Sequence, residues 1–129
     1  MALPPWDPGE LRRRASNIVA GTIRSVRTST VEQGGEYVDE RWQASVEVER
    51  VEKGSGIEVG STAVAESWQP CRRPRDWLGP WGIGPPAEGT RARVFPHRGE
   101  NGSLHVIEPN GIESFTPEPH SPLLRRRVY

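Results

Sequence analysis

Apolar and polar residues alternate most regularly between residues 41 and 50. Every second position in this segment is apolar, namely Trp42, Ala44, Val46 and Val48, and polar or charged residues stand between them. A period of two predicts a β-strand with one buried face and one solvated face. One solvated face favours an antiparallel sheet, because buried parallel strands tend to be apolar on both faces.

Two segments on either side of this strand also favour β-structure. Residues 17–28 are rich in β-branched side chains and are interrupted by Gly21, which predicts a central strand with a bend or bulge at the glycine. Residues 57–67 predict one bent strand or two short ones. The polar segment 31–40 contains Gly34-Gly35 and predicts a flexible turn.

The C-terminal half carries shorter strand signals. Residues 90–95 alternate, with Ala92 and Val94 on one face, and Asn101-Gly102 is a hairpin signal that predicts return pairing by residues 103–108. A turn at residues 109–111 precedes a further short strand at residues 112–115.

A short helix is predicted near the N-terminus. Asp7 is a capping residue, Pro8 suits the first helical position, and Glu10 follows three residues after the cap. The helix is expected to run to about Ala15, and the basic run at residues 12–14 suits its C-terminal dipole.

Residues 68–88 show no period of 2 or 3.6 and predict a long loop. Such loops are functional or disordered in compact domains, and disordered segments are depleted in aromatic residues, so an ordered loop is expected. In one interpretation Trp77 and Trp81 cover an open end of the sheet, and in the other Trp77 forms an exposed recognition surface with arginines. The candidate binding residues are Trp68, Arg72, Arg73, Arg75, Trp77 and Trp81.

These elements predict a mainly all-β fold with one short N-terminal helix. About five or six short antiparallel strands fit a small Greek-key barrel of the OB type, although periodicity alone also fits a sandwich. The domain is expected to span residues 7–116, after an N-terminal extension at residues 1–6. Residues 117–129 are rich in proline and arginine and are expected to form a disordered tail.

Three segments resemble domains related to tissue inhibitors of metalloproteinases and netrin modules. ASNIVAGTIRSV at residues 15–26 is similar to their opening strand, A-D-x-V-x-x-G-x-V. SVEVERVEKG at residues 45–54 resembles their second strand, which ends in V-x-K-G, and GTRARVF at residues 89–95 resembles their G-x-R-Y-L-V-F strand. The three segments occur in the same order as in that family, and the resemblance implies an OB barrel.

The resemblance implies no inhibitory residue. The inhibitors of that family chelate the zinc of a protease through an N-terminal cysteine, whereas this chain begins with Met1 and has Cys71 as its single cysteine. One cysteine also excludes an intrachain disulfide.

Neither the charge of the chain nor its targeting signals determine the cellular compartment. Seventeen basic residues balance seventeen acidic ones, so no global field draws the chain towards nucleic acid or a membrane. No apolar stretch approaches the roughly 20 residues that cross a bilayer. The first residues as given lack a basic start followed by an apolar run, so they are not expected to be a signal peptide. The chain is expected in the cytoplasm, or outside it after removal of a leader.

Residues that could carry chemistry are scattered. The metal-ligand types Cys71, His97, His105 and His120 lack ligand spacing, so neither a metal nor another cofactor is expected. Nothing requires Cys71 to be a nucleophile, and Glu47 and Glu49 on a wet face are expected to be ordinary carboxylates. No phosphate loop or serine elbow is present, and the chain is not expected to be an enzyme.

The preferred hypothesis is therefore a non-catalytic protein-binding or scaffold module. A single-stranded nucleic-acid binder is the first alternative, because OB barrels combine basic grooves with stacking aromatics. Zero net charge and the exposed acidic residues of the second strand argue against nucleic acid. A carbohydrate-binding accessory domain that uses the tryptophans is the second alternative. The residues give no indication of the oligomeric state.

Overall fold

A computed structural model describes residues 4–79 and 82–115 of the chain. The fold is all-β with a small N-terminal helix, as the sequence predicts. The elements are α1 (Pro8–Arg14), β1 (Ile18–Gly34), β2 (Tyr37–Lys53), β3 (Thr62–Arg72), β4 (Arg91–Val94), β5 (Pro96–Arg98), β6 (Leu104–Val106) and β7 (Ile112–Phe115).

Helix α1 begins where its capping residues predict, and it ends at Arg14, one residue before the expected end at about Ala15. The side chain of Asp7 accepts a hydrogen bond of 3.1 Å from the backbone N–H of Glu10, and Pro8 opens the first turn. Leu11 is its buried residue and packs with Ala15, Ile18 and Phe95. No helix in the described part of the chain is long and apolar enough to span a membrane.

The seven strands form one curled sheet in the order β5-β6-β3-β2-β1-β4-β7. All neighbours are antiparallel except β3 and β6, which are parallel. Strands β4 and β5 lie near opposite ends of this order, yet only Phe95 separates them along the chain. The backbone at Phe95 therefore draws the two ends of the sheet together around the core.

Strand alternation is confirmed where one face is buried. Trp42, Ala44, Val46 and Val48 are all at most 2% exposed, and Ala92 and Val94 lie beside them in the same core. The strand at residues 103–108 does not pair with the one at 90–95 as expected. Only residues 104–106 of this segment form a strand, β6. It pairs with β5 and with β3, because the hairpin at Asn101-Gly102 follows β5 rather than β4.

Two of the expected loops are shorter than predicted, and one strand begins later. Residues 31–40 are mostly strand, because β1 and β2 continue pairing up to Gly34 and Tyr37 and leave a two-residue turn. Strand β3 continues to Arg72 because it stays paired with β2, so the first residues of the expected 68–88 loop belong to the sheet. The strand predicted from residue 57 begins only at Thr62.

Candidate functional site

Arg73 lies within a cluster of three aromatic rings at the end of the sheet near the β1–β2 turn. Its guanidinium carbon is 5.5 Å from the ring centre of Tyr37, 5.8 Å from that of Trp68 and 5.2 Å from that of Trp77. Tyr37 and Trp77 also meet edge to face, with ring centres 5.5 Å apart. All three distances to the cation lie within the range of cation–π attraction.

The polar contacts of Arg73 connect the segment after β3 to the start of β2. Nη1 donates to the backbone carbonyls of Val38 at 3.0 Å and Arg72 at 2.8 Å, and Nη2 pairs with the carboxylate of Asp39. The Arg73 side chain is 7% exposed, and its Nε finds no partner among the described residues. A guanidinium this buried is a structural cation and is not available to a ligand.

The structure brings together three of the six candidate binding residues. Trp68, Arg73 and Trp77 meet in this cluster, together with Tyr37 and Asp39 of β2, which sequence reasoning missed. The side chains of Arg72 and Arg75 are exposed and form no ion pair with a described carboxylate. Trp81 lies outside the described residues.

Trp77 does not enter the core over an open end of the sheet. Ile83 packs against the core instead, and its carbonyl accepts a hydrogen bond of 2.7 Å from Nε1 of the buried Trp42. The backbone N–H of Ile83 donates to the carbonyl of Trp68 at 2.9 Å, which attaches the segment to the edge of β3.

Glu108 fixes the edge of the Trp68 ring. Nε1 of Trp68 donates to its carboxylate at 2.8 Å, and Nε1 of Trp6 donates to its backbone carbonyl, also at 2.8 Å. Burial raises the pKa of Glu108 above its usual value, and the hydrogen bond from Trp68 offsets only part of that rise. Both indole N–H groups are thus satisfied within the chain.

A row of side chains on β2 and β3 points away from the core. Cross-strand pairing places Arg41 opposite Trp68 and Gln43 opposite Glu66, on the face opposite the buried Trp42. We call the surface formed by Arg41, Gln43, Val64, Glu66 and Trp68 the β2–β3 face. Three adjoining open grooves, of about 440, 370 and 310 Å³, follow it, and Glu66 lines all three.

The arginines that line these three grooves have no carboxylate partner among the described residues. Arg27 and Arg41 line the groove of about 370 Å³. Arg98 lines the groove of about 440 Å³, where its guanidinium donates to the backbone carbonyl of Gly102 at 3.3 Å. Glu66 accepts from Nε2 of Gln43 at 3.2 Å and lies 3.6 Å from Nδ1 of His105. Guanidinium donors at this face are therefore available to an external anionic group.

Arginines on β1 and β4 outside these grooves are paired with carboxylates of the chain. Arg91 contacts Glu49 at 2.9 Å, and Arg24 contacts Glu47. Hydrogen bonds from Thr22 and Arg91 lower the pKa of Glu49. The two carboxylates expected to be solvated are thus neutralised by arginines, which weakens their use as an argument against an anionic ligand.

Glu52 accepts ion pairs from three elements. Its carboxylate lies 3.2 Å from Arg12 of α1, 3.1 Å from Arg50 of β2 and 3.0 Å from Arg93 of β4. Burial acts to raise the pKa of Glu52, but hydrogen bonds from these arginines outweigh it and the pKa is lowered.

Among the described residues, the side chains considered for chemistry do not gather into one site, although two histidines are neighbours. No group of three or more histidine, cysteine or acidic side chains suited to a metal is found in the described residues. His97 and His105 stand opposite each other on β5 and β6, a juxtaposition that their spacing in sequence could not predict. Cys71 is exposed on β3, and His120 lies outside the described residues.

Comparisons with protein-family models, curated proteins and solved structures found no significant match to this chain. The resemblance to tissue inhibitors of metalloproteinases and netrin modules therefore stays a prediction.

Proposed function

We propose that this chain is a non-catalytic protein-binding module whose β2–β3 face binds a partner that presents carboxylates. The observation that carries the proposal is the contrast between two sets of arginines. Arg24, Arg91 and Arg93 are paired with carboxylates of the chain, whereas the arginines lining the three grooves have no such partner among the described residues. Unpaired guanidinium groups form short, bidentate contacts with carboxylates.

The proposed fold supports the location of this site. We interpret the curled sheet as a small barrel of the OB type, because β1 pairs with both β2 and β4, and β3 runs parallel to β6. Proteins with that fold bind oligonucleotides and oligosaccharides on the face formed by their second and third strands, so the fold uses this face for ligands. The three grooves follow the same pair of strands here.

A protein partner fits the face better than nucleic acid or carbohydrate. Stacking of bases requires open aromatic faces, and the rings of Tyr37, Trp68 and Trp77 already surround the guanidinium of Arg73. Sugars also pack against open aromatic faces, so the contacts of these tryptophans with Arg73 disfavour a carbohydrate in the same way. Glu66 at the centre of the face would repel the closely spaced phosphates of a nucleic acid. A peptide can instead place its carboxylates beside the arginines and donate backbone N–H groups to Glu66. Val64 is 45% exposed and adds an apolar contact of the kind found in protein interfaces.

Charge reversal at Arg41 tests the proposal. Partners captured with the wild-type chain are quantified by mass spectrometry, and the leading one is then purified and titrated against each variant. Arg41→Glu is expected to weaken this binding about tenfold or more, because a groove guanidinium becomes a like charge towards the partner. Arg75→Glu is the matched control, since it makes the same change at an exposed arginine that lines none of the three grooves.

Two outcomes would contradict this function. Loss of binding with Arg75→Glu but not with Arg41→Glu would place the contact on the segment after β3. Submicromolar binding of oligo-dT with a steep salt dependence, weakened by Arg41→Glu, would favour the nucleic-acid alternative.

A further inference from the structure

Strand β1 has an open edge. Its pairing with β4 covers only Val19 to Thr22, whereas its pairing with β2 continues to Gly34 on the other side. From Arg27 onwards, no strand within the described ranges pairs with the edge of β1 that faces away from β2. Exposed edges of this length favour pairing with another strand.

The hydrogen bonds at the start of this edge show which backbone groups point outwards. Ile23 donates to the carbonyl of Thr90 at 2.8 Å, and Val26 donates to the carboxylate of Glu88, also at 2.8 Å. Both bonds lie on the β4 side, and the register shift between Ile23 and Ser25 accounts for their odd spacing. Because backbone groups alternate along a strand, Thr28, Thr30 and Glu32 direct their N–H and C=O groups to the open edge.

We propose that a second copy of the chain pairs with this edge, with the two β1 strands antiparallel about a twofold axis at Thr30. In this register Thr30 stands opposite Thr30 of the other copy, and Thr28 stands opposite Glu32. All three outward-facing residues then meet residues that also point outwards, so every N–H and C=O group on the edge gains a partner.

The side chains are compatible with self-pairing. Arg27 stands opposite Gln33 and Ser29 stands opposite Val31, so no like charges meet directly, and the central threonine pair is a favourable cross-strand contact. Residues 27–33 contain no proline, and the 17 basic and 17 acidic residues of the chain cancel, so no long-range repulsion opposes association.

Sedimentation analysis from low to high micromolar concentration tests the dimer. The wild-type chain is expected to show a monomer–dimer equilibrium, and Thr30→Pro is expected to abolish it. Proline removes an N–H that faces the open edge, so it breaks no bond within the chain and is tolerated at an edge position. Thr30→Val is the matched control and should still dimerise. Circular dichroism and a melting curve verify that Thr30→Pro is folded.

Cysteine cross-linking tests the register. In a Cys71→Ser background, Thr30→Cys is expected to oxidise to a covalent dimer, because Cα atoms of a hydrogen-bonded pair lie about 5.5 Å apart, which suits a disulfide. Gln33→Cys stands opposite Arg27 and should cross-link far more slowly.

Three results would overturn the proposal. The first is a wild-type chain that sediments as a monomer at all concentrations. The second is a Thr30→Pro variant that still dimerises. The third is faster cross-linking at residue 33 than at residue 30. Protection of the Thr30 amide from hydrogen exchange in a monomer would assign the edge to a different strand and would count against the second copy.

Discussion

Arg73 is a buried cation whose surroundings replace the water it loses. Removing a guanidinium from water is costly, and the Asp39 carboxylate, two backbone carbonyls and three aromatic rings offset that cost. The arrangement also holds Tyr37 of the β1–β2 hairpin against Trp77 of the segment after β3, because both rings contact Arg73 and each other. Loss of this one side chain should therefore loosen two segments together.

Replacing Arg73 with methionine is expected to lower the free energy of unfolding by roughly 3 kcal/mol, because Asp39 is left buried without its cation. Arg72→Met is the matched control at the neighbouring exposed arginine, and its effect should stay within about 0.5 kcal/mol. Urea unfolding followed by tryptophan fluorescence measures both. Equal effects of the two substitutions would contradict a structural role for Arg73.

The cluster around Arg73 contains three of the six candidate binding residues, and its membership could be predicted only in part from the sequence. Trp68, Arg73 and Trp77 were found because they stand close together in an aromatic and basic segment. Tyr37 and Asp39 were missed because they lie in a polar segment that resembles a turn. Only the register between β2 and β3, a long-range property, brings the two groups into contact.

Among the strands, β1 depends on a glycine where its backbone approaches β2 closely. A Cβ on Gly21 would overlap the carbonyl oxygen of Glu47 on β2, and the register of the β1–β2 pair shifts beside it. The predicted bulge at this glycine is therefore confirmed. Its cause is a close approach of two backbones, which no local pattern could have revealed.

Gly21→Ala is expected to destabilise the fold by about 1 to 3 kcal/mol, because the overlap can be relieved only by moving β1 away from β2. Gly9→Ala provides the control in α1, where a Cβ meets only Oδ1 of Asp7 at 3.4 Å and alanine favours the helix. Thermal unfolding of both variants gives the comparison. An unchanged melting temperature for Gly21→Ala would contradict the close packing of the two strands.

Strands were predictable in proportion to their length and to the burial of one face. The strand around Trp42 could be predicted because its buried residues alternate with polar ones in the sequence. Strands β5 and β6 have three residues each, too few to show a period, so their partners could not be inferred. The parallel pairing of β3 with β6 likewise follows from closure of the sheet and not from local sequence.

At the scale of the whole molecule, Glu52 joins α1, β2 and β4 through three arginines. Its folded-state pKa is lowered, so its ionised form contributes stability above the unfolded value, and this contribution is lost as the pH falls through the folded pKa. The helix and two strands should therefore hold together less firmly in acid.

Glu52→Gln is expected to reduce the free energy of unfolding at pH 7 by roughly 1 kcal/mol or more, because hydrogen bonds to a charged acceptor are replaced by weaker ones. The difference from wild type should shrink as the pH falls below 4.5, the usual value for a glutamate. Urea titrations across this pH range measure it. Glu49→Gln, at a more exposed ion pair, should change stability less. A pH-independent difference for Glu52→Gln would show that its charge is not the cause.

The pairing of β1 with β4 also sets the order in which the chain can fold during synthesis. Val19 leaves the ribosome before its partner Val94, which emerges only after β2 and β3. Until then, the β4 side of β1 and the apolar face over Val46 and Ile23 remain uncovered. The growing chain thus passes through a stage at which three complete strands expose one side of the future core, and that stage ends only with the translation of β4.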